Sequence, residues 1–246
     1  QGRLWTPERS DIQIAAWFDA SDLSTITYGT SGISQWSDKS GKNNHATQAT
    51  DANRPTLSTY SLIQKTVISF SGTQSFSSAL SASSASESIF AIVQSAGGAI
   101  QTILGASNDG GRQFRVESSN QLGFIRQNQA GLAFSGAGNL LQTNKYTLIQ
   151  LQYDGTTSQF YQNGVPLGGS TLVSPSLTAS RTTLIGQGPL GAERWVGQIA
   201  EIISVQSILS EKNRQTIEGY LSWKWELLDL LSSSHPYISR PPTIGD

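Results

Sequence analysis

Two carboxylates facing each other across a bound sugar are the minimum equipment for glycoside hydrolysis, so the acids are weighed first. The most suggestive is Glu201, inside Trp195–Trp225 (WVGQIAEIISVQSILSEKNRQTIEGYLSWKW). Pairs of this kind are often supplied by alternate residues of one strand, but the alternate neighbours of Glu201 are Ile199 and Ile203. A lone Glu on an apolar strand face is better explained as a buried group accepting charge-assisted bonds from an arginine or from backbone amides. Catalysis by Glu201 lacks its second carboxylate.

Other chemistry is thinner. The only histidines are His45 and His235, and no nucleophile-elbow pattern supports a Ser–His–Asp triad. Gly186–Gly191 (GQGPLG) matches G-x-G-x-x-G, but a dinucleotide site needs a helix to follow, so that its first amides meet the pyrophosphate. Here Pro189 interrupts the run and a strand-like segment follows, so it reads as a loop. Cysteine is absent, which rules out disulfides and thiolate metal sites. The loop after Trp36, Asp38-Lys39-Ser40-Gly41-Lys42-Asn43-Asn44-His45, has the residue types of a ligand or cation site. Asx-turn chemistry accounts for the same types, as a self-capped loop pinned by Trp36. Sugar-binding proteins stack rings on exposed aromatics, and Tyr28 and Tyr60 are the better loop candidates; the tryptophans read as buried anchors. Loop positions Asn108, Asp109, Arg112, Gln187, Glu193 and Arg194 offer fork-like groups suited to hydroxyls, and are the expected ligand-binding residues.

Composition narrows the classes. Against 16 Lys+Arg stand 17 Asp+Glu, net −1, without blocks of like charge, so neither a nucleic acid nor an anionic membrane is an expected partner. No apolar run approaches a membrane span, so membrane insertion is not expected. Methionine is absent even at the start, which predicts a processed end or an excised domain.

The elements that must position these residues are mostly strands. Asp11–Asp19 alternates, with Ile12, Ile14, Ala16 and Phe18 on one face. Further strands are expected at Thr66–Phe70, Ser88–Gln94, Gln101–Gly105, Gln113–Glu117, Leu122–Arg126, Tyr146–Tyr153, Ser158–Gln162 and Thr182–Ile185. The Ser/Ala tract Ser77–Ser88 reads as a long surface loop. Asp154-Gly155 and Asn163-Gly164 are hairpin turns. In the closing segment Val196, Gln198, Ala200 and Ile202 should share one face, and Ile199, Glu201 and Ile203 the other. A helix follows, capped by Ser210, with Ile217, Leu221, Trp225 and Leu228 on its buried face. The pattern predicts an all-β fold: an antiparallel β-sandwich or jelly roll with one C-terminal α-helix.

Leu4-Trp5-Thr6-Pro7, AAWFDASD (Ala15–Asp22), Gln35–Gly41, NNHATQ (Asn43–Gln48) and Arg54-Pro55 resemble the opening of a laminin-G-like, concanavalin A-like domain of bacterial surface and bacteriophage structural proteins. Leu151–Val165 is similar to that family's central hairpin, and Gly197–Trp225 with the HPY…PP tail to its closing strand and helix. The resemblance implies one concanavalin A-like jelly roll over 1–246, closed by 195–228, with an extended tail over 229–246. It implies a non-enzymatic module of a virion surface or extracellular surface. Its partners would be a carbohydrate or host-surface receptor, with a phage tail fibre or capsid decoration protein the leading reading. A purely structural subunit that binds other virion proteins is one alternative, a polysaccharide-degrading enzyme another, and homo-oligomerisation stays open. No cofactor is expected. Some relatives hold a structural calcium ion at the sandwich edge; Asp19 and Asp38 lie in matching segments, where both also suit turn caps.

Overall fold

A computed structural model describes residues 2–108, 110–126, 131–137, 141–171 and 180–246. In chain order the strands are β1 (Ala16–Asp19), β2 (Ile26–Tyr28), β3 (Ile33–Trp36), β4 (Ala46–Thr47), β5 (Thr56–Tyr60) and β6 (Lys65–Ser71). Next come β7 (Phe76–Ser81), β8 (Glu87–Ser95), β9 (Gln101–Ala106), β10 (Arg112–Val116), β11 (Leu122–Arg126) and β12 (Gly131–Phe134). The last are β13 (Tyr146–Tyr153), β14 (Ser158–Gln162), β15 (Val165–Pro166), β16 (Thr182–Ile185) and β17 (Val196–Val205), followed by helix α1 (Glu211–Lys224). One sheet runs β15-β14-β13-β8-β17-β6-β5, and β1 pairs the far half of β17 beside β6. The other runs β12-β11-β10-β9-β16-β7-β4-β3-β2. Pairing is antiparallel throughout both sheets. The fold is the expected sandwich with one C-terminal helix.

The first sheet has apolar side chains on both faces because it is the middle of three layers. Ile89, Ala91, Val93, Ile149, Leu151 and Tyr153 fill the space between the sheets. Their strand neighbours Phe90, Ile92, Tyr146 and Leu148 point the other way, into a second core under α1. Ile217, Leu221 and Trp225 of the helix complete that core without exposed surface, and burying a side chain of this kind stabilises by about 1.5–3 kcal/mol. The Ser210 hydroxyl accepts from the Asn213 amide at 3.2 Å as the N-cap. Trp225 caps the other end, and Glu226 takes φ 54°, so the helix stops a turn earlier than expected. Leu228 consequently falls in a half-buried 3-10 turn, and Leu227 takes the buried place.

Three strand expectations need correction. Ser77–Ser88 is a loop only in part: β7 takes it up to Ser81, with Phe76, Ser78 and Leu80 buried, and β8 takes it from Glu87, leaving residues 82–86 as the connection, with Ala82 buried. Ile12 and Ile14 pack under the helix with Trp17, whereas Ala16 and Phe18 lie between the sheets, because the strand begins only at Ala16. In β17 a register shift between Ile199 and Glu201 breaks the alternation. Ile199 and Ile202 therefore face the sheet core, and Ala200, Ile203 and Val205 the helix.

The two ends of the chain meet. Leu4 bridges Thr243, the Trp5 amide donates to the Pro242 carbonyl at 2.9 Å, and that of Ile244 to the Arg3 carbonyl at 2.8 Å.

Candidate functional site

Glu201 does have a second carboxylate, across the sheet and not along its strand. Asp19 lies directly opposite it in the β1–β17 register. The Lys224 Nζ sits between the two, 2.7 Å from Asp19 Oδ2 and 2.9 Å from Glu201 Oε2. The Trp17 and Trp225 indoles donate to Glu201 at 2.7 Å each, and the Tyr220 hydroxyl at 2.9 Å. The expected arginine or backbone-amide partners are thus replaced by one lysine, two indoles and a phenol. Burial pushes the Glu201 carboxyl up, against the pull of Lys224. Burial would also raise Asp19, but Lys224, Ser21 and Lys39 outweigh it and hold that carboxyl below its ordinary value. Both acids are shut away, Glu201 with no exposed surface and Asp19 with 3 %. A sugar ring has no room to enter between them.

The loop after Trp36 is self-capped. Asp38 accepts from the amides of Trp17 (2.8 Å), Ser40 (2.9 Å) and Asn44 (3.0 Å) and from the Ser40 hydroxyl (2.7 Å). His45 Nδ1 accepts from the Asp38 amide. His235 is buried against Glu218, with Nε2 2.9 Å from Oε2. Gly186–Gly191 leads into β17 and not into a helix; Gly186 takes φ 81°.

The structure does not gather the loop residues expected to bind ligand into one site. Arg112 is a correction: it opens β10 as a fully buried side chain, bonded to Glu87 (2.9 Å), the Gly105 carbonyl (2.8 Å) and Thr183 (3.1 Å). Asn108 accepts from Arg181 and the Gly110 amide, and Asp109 lies outside the described residues. Gln187, Glu193 and Arg194 do share one loop. Gln187 accepts from Ser75, Glu193 is tied to Gln113 and Arg115, and Arg194 donates to the Gly191 and Thr73 carbonyls. Every one of these described groups already has an intramolecular partner.

Tyr60 fares differently. It ends β5 and stacks on Tyr146, the first residue of β13, with ring centroids 4.0 Å apart and planes 30° apart. Tyr146 is held from behind by its hydroxyl bond to Gln198, which in turn donates to Ser58 at 3.1 Å. Burial raises both phenols above their ordinary value, so both stay neutral donors at physiological pH. A cleft opens on each side of the pair. One, of about 410 Å³, is walled by Gln142, Gln162, Asn163, Glu226 and Asp229. The other, of about 380 Å³, is walled by Thr59, Ser61, Gln94, Asn144 and Gln198. Lys145 borders both and is exposed. Tyr146 is buried and braces the half-buried Tyr60. The open part of the Tyr60 ring, flanked by amides, hydroxyls and charges, suits a molecule with apolar ring faces and a rim of hydroxyls. Tyr28, the other platform candidate, is 55 % exposed on an edge strand. Sequence reasoning singled out Tyr60 but not its partner Tyr146, which reads as an ordinary strand residue.

By sequence, no curated protein matches the chain. Among solved structures, domain 4 of AbnA, an extracellular arabinanase from Geobacillus stearothermophilus, in complex with arabinotriose, superposes with TM-score 0.60 at 14 % identity. That match covers 82 % of this chain and 97 % of the other. A heptameric SAP-like pentraxin from Limulus polyphemus gives 0.53 at 16 % identity, covering 62 % and 81 %. The Trypanosoma rangeli sialidase gives 0.54 at 15 % identity over 86 % of this chain but only 33 % of its own length. At such identities the likeness is one of fold. The family model described as Concanavalin A-like lectin/glucanases superfamily (Laminin_G_3) matches residues 71–212, more than half of the sequence, and the chain belongs to that family.

Proposed function

We propose that the chain is a non-catalytic carbohydrate-binding module that seats a polysaccharide segment on Tyr60, which the buried Tyr146 braces. The observation that carries this reading is the braced Tyr60 ring at the edge of two clefts, lined by amides, hydroxyls and charges together with Leu62, Leu227 and Leu230. Membership of a lectin/glucanase superfamily supports it, as does the arabinotriose complex of a similarly folded arabinanase domain. The absence of catalysis rests on Asp19 and Glu201, whose facing carboxyls are sealed beneath Trp17, Tyr220 and Trp225. The setting we propose is extracellular, on a virion or cell surface; its virion part rests on the sequence resemblance of the opening and closing motifs alone. Among the described residues no helix is long and apolar enough to cross a membrane.

Affinity electrophoresis against a panel of plant, bacterial and host polysaccharides tests the reading. Tyr60→Ala should weaken retention by roughly tenfold, as loss of an aromatic contact of ~1.5 kcal/mol implies, with the far-UV spectrum unchanged. Retention that survives Tyr60→Ala but is lost on mutating Gln187, Glu193 or Arg194 would move the site to the opposite sheet.

A further inference from the structure

We propose that Lys224 and Asp19 become joined by an intramolecular amide bond, with Glu201 as the group that moves the protons. The inference stands apart from the carbohydrate reading. Its basis is a constellation that holds every part of the condensation in place. The Lys224 Nζ lies in contact with both carboxylates, 2.7 Å from Asp19 Oδ2 and 2.9 Å from Glu201 Oε2. The other Asp19 oxygen, Oδ1, accepts from the Ser21 amide at 3.0 Å and the Ser21 hydroxyl at 2.6 Å. Those are the donor distances that stabilise an oxyanion during acyl transfer. Lys39 faces the same carboxyl, 3.2 Å from Oδ2, with its own charge balanced by Asp22 at 2.8 Å. Trp17, Trp225 and Tyr220 fix Glu201 and leave it no exposed surface.

The step balances without any co-reactant. Lys224 Nζ passes one proton to Glu201 Oε2, and the freed lone pair attacks Asp19 Cγ to form the C–N bond. Charge developing on Oδ1 is met by the two Ser21 donors, and charge on Oδ2 by the Lys39 ammonium. The Cγ–Oδ2 bond then breaks as Oδ2 takes the proton held by Glu201 and a second from Nζ. One water leaves, and Glu201 returns to its starting form. In free solution a carboxylate and an ammonium do not condense; here the groups are prepositioned, and intramolecular reactions of this kind reach very high effective concentrations. The raised proton affinity that burial gives Glu201 suits it to take the proton from Lys224. Lys224 is the most exposed member of the trio, its side chain 18 % exposed, which leaves the water a way out.

The test is the intact mass of the denatured wild-type chain, which needs no variant to fold. The expected mass is that of the sequence less one water, with a proteolytic digest yielding a branched peptide that joins the Asp19 and Lys224 segments. Glu201→Gln and Lys224→Arg should run at full sequence mass. Glu201→Asp, which withdraws the carboxyl, should cross-link incompletely and serves where the Gln variant does not fold. Wild-type protein at full sequence mass overturns the proposal. So does a water loss that maps elsewhere, such as a succinimide at Asp154-Gly155. Complete cross-linking in a folded Glu201→Gln or Glu201→Asp chain overturns the role of Glu201.

Discussion

Trp225→Ala separates the part of this chain that holds the fold from the part that meets a ligand. The ring has no exposed surface, packs with Ile217 and Leu221 on the middle sheet, and donates its indole N–H to Glu201 at 2.7 Å. Truncating a buried Trp to Ala costs about 3–5 kcal/mol through lost burial and the cavity left behind. The hydrogen bond is part of that loss, since a bond to a charged group is worth about 1.5–3 kcal/mol. Trp225→Phe keeps most of the packing and removes the N–H, so it should cost about 1.5–3 kcal/mol. For a domain of this size 1 kcal/mol moves Tm by about 2–4 °C, which places Trp225→Ala roughly 6–20 °C below wild type. Urea titration followed by far-UV circular dichroism, with calorimetry for Tm, measures both variants, and polysaccharide retention of the folded fraction should be unchanged. A loss under about 1 kcal/mol for Trp225→Ala would refute the view that this residue anchors the helix. Retention lost at preserved stability would show that the wall supplied by Glu226 and Asp229, and not Tyr60, governs binding.

Asp154 gives a pH prediction at the hairpin between β13 and β14. Its Oδ1 accepts from the amides of Thr157 (2.7 Å) and Thr156 (2.9 Å), bonds that hold the carboxyl below its ordinary value. A depressed folded value means that its contribution to stability is in place above the ordinary carboxylate range and is lost as pH falls through the folded value. An NMR titration should find Asp154 below a free aspartate, and an ordinary value would show the turn bonds to be absent in solution. Calcium is the second case. Asp38 is filled by amides and a hydroxyl, and Asp19 is engaged by Lys224 and Lys39, so we expect EGTA to leave Tm unchanged. A fall in Tm that calcium reverses would place an ion that these donor sets do not explain.

Local patterns carried much of the fold. β13, β14 and β16 run over the same residues that alternation and the Asp-Gly and Asn-Gly turns pick out, because turn chemistry and period are written within a few neighbouring positions. β7 is hidden in the sequence because its inward positions include Ser78, and its Ser/Ala composition looks like linker until Phe76 and Leu80 are set beside it. The shift at Ala200 left no mark in the residue types, and a strict period assigned Ile199 and Ile202 to opposite faces. The site was legible only by halves. Tyr60 could be flagged as an aromatic at a turn, but Tyr146 comes from a distant strand, and only the sheet order brings the rings together. Asp19 and Glu201 are hidden as a pair for the same reason: alternation relates residues along one strand, and the partner stands on its antiparallel neighbour.

The meeting of the chain ends has a mechanical consequence. Leu4 and Thr243 pair antiparallel, so residues 3 and 244 leave the bridge side by side. Tension applied across the two ends therefore loads the backbone bonds of Trp5 and Ile244 one at a time, in the peeling geometry that resists force least. The peel would run inward along the N-terminal segment until it reached β1. With Asp19 and Lys224 joined covalently it would stop there, and nearly all of both sheets would lie behind a bond that tension of this kind does not break. The module would then lengthen under load through residues 1–18 and 225–246 alone, giving up the Glu226 and Asp229 wall of one cleft while Tyr60 and Tyr146 stayed behind the cross-link.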